Sequence, residues 1–151
     1  MPPITVTTEV GRPAEAAFAY VTDPTRFPEW QAGVVGGHMD GGGADGGKGV
    51  GARCVTVRRI GGAERASTSE LVTLDPPRTW AVRGMDGPIR AAVDVTVEPL
   101  GTDRSTVTIA VDFTGHGIGK VLVPLLVRRQ ARAEMPANIA RLKERIEQST
   151  S

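Results

Sequence analysis

A single cysteine, Cys54, stands in the 151-residue chain, so no internal disulfide can form and a reducing compartment is expected. The two histidines, His38 and His116, have no cysteine or aspartate at ligand spacing, which gives no metal site. No cofactor is expected either. Neither sign of charge prevails: 18 Lys and Arg against 17 Asp and Glu leave a net charge of +1. That balance lacks the concentrated basic face that nucleic acid requires. Long apolar runs are missing as well. The longest, Val121 to Val127 around Pro124, falls far short of the roughly 20 residues that span a bilayer. No basic segment followed by an apolar run follows Met1, so neither a secretory signal nor stable membrane insertion is expected, and the protein is read as cytoplasmic. Aromatics make up only 4% of the residues, which draws attention to each one.

What remains is an ordinary globular composition, 40% hydrophobic and 23% charged. The length fits one domain over residues 1–151, large enough to bury roughly 68–70% of its unfolded surface without staples. A monomer or homodimer is expected. Nineteen Gly and eleven Pro fall in clusters and announce many turns.

Ile4, Val6, Thr8 and Val10 alternate with polar neighbours and predict a half-buried strand. Gly11-Arg12-Pro13 ends it and opens a helix. Pro13 suits the first helical position and Glu15 the positive end of the dipole, with Ala14, Phe18 and Val21 as the buried stripe. Asp23-Pro24 stops that helix, and a second short one is expected from Thr25 to Trp30. From Gly36 to Gly51 glycine dominates, predicting a mobile connection preceded by a short strand at Val34-Val35.

Strands follow. Val50 to Ile60 alternates, Val55 and Val57 on one face against Cys54 and Thr56 on the other, and Gly61-Gly62 turns into Ser67 to Leu74. Asp75-Pro76-Pro77-Arg78 is a turn by its two fixed φ angles and missing donors. Trp80 to Met85 leads through Asp86-Gly87 to Ile89–Val97, the cleanest period of two in the chain. Gly101-Thr102-Asp103 leads to Val107–Phe113. From Lys120 to Gln148 the period becomes helical, with Ala131, Met135, Ile139, Leu142 and Ile146 down one face. Pro124 is placed in the first turn and Pro136 inside, where it is expected to kink the helix.

Hairpin-linked alternation predicts an antiparallel sheet with one dry face, and only the last helix is long enough to cover that face. The fold class is therefore α+β of the helix-grip type. A curved sheet of about six to seven strands wraps round a long C-terminal helix, with two short helices after the first strand. A gap between sheet and helix is the expected ligand cavity.

Several local sequences occur in a characteristic order: Arg12-Pro13-Ala14-Glu15 before Phe18, then Asp23-Pro24 with Pro28-Glu29-Trp30. Leu74-Asp75-Pro76-Pro77, Phe113-Thr114-Gly115 and Asn138-Ile139-Ala140-Arg141-Leu142-Lys143 complete the series. In this the chain resembles, over nearly its whole length, the START/Bet v 1-like (SRPBCC) superfamily of START lipid-transfer domains, birch-pollen allergen proteins and bacterial polyketide cyclase/dehydratase-like proteins, and it is most similar to the bacterial branch. The resemblance implies a cavity for an apolar molecule. It does not choose between carriers and cyclases, because one fold hosts many activities.

Gly42-Gly43-Ala44-Asp45-Gly46-Gly47-Lys48 matches part of a P-loop. Gly49 stands where the motif needs Ser or Thr, and a strand follows where it needs a helix, so a plain flexible loop is the better reading. Gly115-His116-Gly117-Ile118-Gly119-Lys120 imitates a dinucleotide fingerprint but lacks the last small residue and any βαβ unit. Its glycines are read as a sharp turn into the helix. Cys54 with His38 or His116 would form a nucleophile and base, but nothing in the spacing joins them, and a lone strand cysteine behaves as a small hydrophobe. Arg141 with Glu144 and Lys143 with Glu147 are spaced to pair on a solvated face.

The inward strand faces are expected to be almost all Val, Ile, Ala and Phe. The candidate ligand-binding residues are Phe18, Trp30, Trp80, Val93, Val95, Ile109, Val111, Phe113, Arg128, Met135, Asn138, Ile139 and Leu142. No catalytic residue is assigned. Core and cavity wall ask for the same side chains, so the aromatics stay open between the two. Arg128 is placed beside the cavity, where it would meet a carboxylate or a ketone; the Asn138 amide takes its partners from the sheet backbone or from the ligand. The main reading is binding or carriage of an apolar small molecule such as a lipid, quinone or polyketide. The alternative is a cyclase/dehydratase in which Arg128, Asn138, Tyr20 or His116 polarises a poly-ketone. A third, an interaction module, calls for an exposed apolar patch.

Overall fold

The period-two alternation resolves into seven strands of one antiparallel sheet in a computed structural model that describes residues 3–41, 49–60 and 62–149. β1 is Ile4–Val10, β2 Val34–Asp40, β3 Arg53–Ile60, β4 Ala63–Asp75, β5 Thr79–Gly84, β6 Ile89–Pro99 and β7 Ser105–Gly115. Across the sheet they run β1-β7-β6-β5-β4-β3-β2, so six strands meander in chain order and β1 is added beside the last. Val93, Val95 and Val97 of β6 lie opposite Val111, Ile109 and Val107 of β7, and Val6 of β1 opposite Ile109. These matched apolar rows form the floor of the core.

Between β1 and β2 come α1 (Ala14–Val21), a 3₁₀ turn at Pro24–Arg26 and α2 (Phe27–Trp30). Asp23 starts the turn: its Oδ1 accepts from Thr25 N at 3.0 Å and Thr25 Oγ1 at 2.7 Å, with Pro24 in the position where a missing N–H costs least. After β7 the chain turns into α3 (Gly119–Leu122), a π-helical turn at Val123–Val127 containing Pro124, and α4 (Arg128–Gln148), which continues past Pro136. α4 lies along β1 and against α2, while α1 packs on β6 and β7. Leu142 and Ile146 of α4 are wholly enclosed, together with Val10, Val97 and Val107.

The glycine-rich stretch is more ordered at its start than its composition predicts. β2 continues from Val34 to Asp40, with a bulge between Val34 and Gly36. The reason lies in packing. A Cβ on Gly37 would stand 2.5 Å from Pro24 O, so glycine there lets the 3₁₀ turn press directly on the strand. Residues 42–48, with the P-loop-like motif, lie outside the described residues. At the other glycine cluster a Cβ on Gly115 would stand 2.1 Å from Gly119 O, and Gly117 has φ +61°. Those glycines serve the turn from sheet to helix.

Candidate functional site

The helices cover only part of the concave face. Along β6, Val97 and Val95 are buried, whereas Val93, Ala91 and Ile89 stay partly open; along β7, Val107 and Ile109 are buried, whereas Val111 and Phe113 stay partly open. β4 passes in the same way from buried Leu71 to Ser69 and exposed Ser67, and β3 from buried Cys54 to Thr56 and exposed Arg58. The register sets these open ends near one another: Val93 opposite Val111, Ala91 opposite Phe113, Ser69 opposite Gly84, and Thr56 opposite Ser67. The grip is closed at one end and open at the other. α3 borders the open end through Gly119, whose backbone meets Pro88 O. There Ile118, Val121 and Leu126 expose apolar side chains.

One wall of this concavity is polar, which corrects the expectation of an apolar interior. Val55 and Val57 face away from the core. The inward positions of β3 are Cys54, Thr56 and Arg58, because Cys54 belongs to the core and side chains two apart share a face. On β4 the inward set is Leu71, Ser69, Ser67 and Arg65 by the same rule. The Thr56 and Ser67 hydroxyls lie 3.1 Å apart in a hydrogen bond on that face. Arg58 is exposed to water, with its neighbours in the concavity still displacing part of the solvent around it. Desolvation lowers its pKa below the ordinary guanidinium value, and the Glu134 carboxylate on α4 works against that shift. The turn at Gly61-Gly62 held the missed signal, since counting back from it sets Arg58 opposite Arg65 and on the same face as Cys54.

Phe18, Trp30, Trp80, Val95, Ile109, Met135, Ile139 and Leu142 all belong to one buried cluster, against which Val93 and Val111 pack as partly buried neighbours. Phe27 joins Trp30 and Trp80 edge to face, with ring centroids 5.8 and 6.4 Å apart. Trp30 Nε1 is buried with no hydrogen-bond partner among the described residues. Arg128 is buried and gives Nη1 to Asp112 Oδ1 at 2.8 Å. Asn138 Oδ1 accepts from Ala32 N at 3.1 Å and from Arg141 Nη2 at 2.5 Å; Arg141 Nε also reaches Trp30 O. Asn138 therefore ties α4 to the chain after α2. Arg141 turns inward to that link, whereas Lys143 and Glu147 pair at 2.6 Å as their spacing predicts.

The four groups of the cyclase reading do not converge on one point. Tyr20 donates its hydroxyl to Glu29, and burial followed by that bond raises its pKa from 10.0 to about 12. It borders an open depression of about 230 Å³ with Arg26 and Arg145. His116 borders another of about 170 Å³, with Arg83, Arg90 and Thr114, whose side chains point away from the core. Cys54 is held as a thiol, its pKa pushed up from 9.0 to about 11 by burial. His38 sits on the opposite side of the sheet, registered with Val55. No cluster of three potential metal ligands occurs among the described residues, and no described helix is long and apolar enough to cross a membrane.

Comparisons with known proteins agree with this architecture. The family model described as polyketide cyclase/dehydrase and lipid transport matches residues 1–147. A START superfamily protein from Mycobacterium smegmatis superposes with a TM-score of 0.77 at 19% identity, over 99% of this chain and 100% of that one. An aromatase/cyclase from Streptomyces sp. R1128 gives 0.71 at 16% identity, over 96% and 90%. A di-domain aromatase/cyclase of the BE-7585A biosynthetic pathway gives 0.74 at 17% identity, where 97% of this chain covers 47% of the longer one. At these identities the likeness is one of fold. No curated protein matches the sequence.

Proposed function

The chain belongs to the polyketide cyclase/dehydrase and lipid transport family, and from that premise we propose that it binds and carries a small molecule with an apolar body in the open end of the grip. The observation that supports this reading most directly is the burial gradient along the concave face. A plain core would enclose Val93, Val111 and Phe113 as it encloses Val97 and Val107, yet these side chains keep uncovered apolar surface next to buried neighbours. Uncovered apolar surface in a concavity is stabilised by an apolar occupant. Carriage is favoured over catalysis because Tyr20 and His116 border separate depressions, while Arg128 bonds Asp112 and Asn138 bonds the Ala32 N–H. Cytoplasmic residence, supported by the lone cysteine, and exclusion of nucleic acid, supported by the balanced charge, belong to the same proposal.

The test is a titration with the neutral apolar dye Nile red, followed by its fluorescence. Wild-type protein should bind it saturably, and Ala91→Trp, which fills the open stretch beside Phe113, should bind it much less while melting cooperatively. No saturable binding to wild type, or equal binding by Ala91→Trp, overturns the reading.

A further inference from the structure

Arg58 and Arg65 are direct cross-strand partners on β3 and β4, and each stands an even number of residues from a buried one, Cys54 or Leu71, so both belong to the concave face. Like charges placed opposite each other in a sheet repel and destabilise it. The neighbouring pair on the other face, Arg59 and Glu64, shows the ordinary arrangement, a salt bridge at 3.1 Å. Among the described residues no carboxylate comes within ion-pair distance of Arg58 or Arg65. The adjoining inward positions, Thr56 and Ser67, supply two hydroxyls. The wall therefore holds two cations and two neutral donors without an anion between them.

The helix side of the gap is placed by the register. Asn138 bonds Ala32 N, and Val34, two residues further, lies opposite Arg58. Glu134 is one helical turn before Asn138 and so shares its face, which brings it to the Arg58 side of the concavity. Its charge is felt by Arg58, while its Oε1 is held by Gln130 Nε2 at 3.0 Å. Four inter-strand steps separate β3 from β7, about 19 Å of sheet width at about 4.8 Å each. A polar wall at one side and apolar Val93, Val111 and Phe113 at the other describe a long amphipathic guest.

We propose that Arg58 and Arg65 receive the carboxylate of a long-chain amphipathic acid whose apolar body crosses the sheet to Val93, Val111 and Phe113. This rests on the binding function above and adds the charge and polarity of the ligand. Whichever of Thr56 and Ser67 accepts the other's proton in their mutual hydrogen bond gives its own to the same head group, and Glu134 stands as the resident anion that excludes a dianionic one.

Displacement of Nile red by myristic acid, methyl myristate and myristyl alcohol separates the two levels. The three share one apolar body, so the expected result is that myristate displaces the dye about tenfold to a hundredfold more tightly than the ester or alcohol. Arg58→Gln with Arg65→Gln should bring the acid down to the ester while the ester is unchanged, and Arg58→Lys, which keeps the charge, should retain most of the preference. Glu134→Gln should tighten the acid alone. Equal displacement by acid, ester and alcohol overturns this inference and leaves apolar binding standing. So does an acid preference that survives the double Arg→Gln substitution. Failure of wild type to take up Nile red or any of the three removes the binding reading and this inference together.

Discussion

Val97 and Val93 make a matched pair on which the half-closed grip stands or falls. Both are valines on the inward face of β6, four residues apart, each opposite a valine of β7. Val97 is wholly enclosed, whereas Val93 is only partly covered. Truncation to alanine removes two carbons, worth about 0.8 kcal/mol each when fully buried. The cavity left behind brings the expected loss at Val97 to about 2–3 kcal/mol. At Val93 part of that surface already faces the open concavity and little new void forms, so the loss should stay below about 1 kcal/mol. The change in strand preference from Val to Ala is common to both and cancels in the comparison. With a urea slope of about 2 kcal/mol per molar, Val97→Ala should lower the unfolding midpoint by about 1–1.5 M and Val93→Ala by less than about 0.5 M. Circular dichroism in urea reads both, and a Nile red titration of Val93→Ala should show a changed affinity. Equal midpoint losses with dye binding untouched at Val93 would refute the reasoning, because the core would then be closed along its whole length.

Three further outcomes are expected. Gly37→Ala forces a Cβ to 2.5 Å from Pro24 O, a backbone atom that cannot swing aside, and thermal melts should show a loss of about 1–3 kcal/mol. Asp112→Asn removes the charge that meets the buried Arg128 and should cost about 1–3 kcal/mol in the same assay. The Cys54 thiol, raised to about 11 in the folded protein, stays protonated while the unfolded chain ionises above about pH 9. Stability from this group is therefore unchanged below pH 9 and declines as pH rises from 9 to 11. Tyr20 adds to the decline only above pH 10. Urea melts of Cys54→Val should lack the fall between pH 9 and 10, and a wild type whose stability is flat across that interval would contradict the assignment.

Local rules read from the sequence were enough for most of the elements. The alternation of Ile89–Val97 and Val107–Phe113, the stop at Asp23-Pro24, and the spacing of Met135, Ile139, Leu142 and Ile146 each express a physical rule that acts within a few residues. Their order alone determined an antiparallel meander gripping a C-terminal helix. What the sequence left open was decided at longer range. β2 exists as a full strand because Pro24, thirteen residues before Gly37, packs on a backbone that lacks a Cβ. The direction of Arg58 was decided by its neighbours: Val55 and Val57 make the outward face of β3 look like an inward one, but Cys54 and Leu71 are anchored in the core at the closed end. A sheet cannot turn one end of a strand over without breaking its register. The open end itself is a tertiary fact. Val93 and Val97 carry the same side chain in the same pattern, and only the reach of α1, α2 and α4 across the sheet makes one of them core and leaves the other facing the gap.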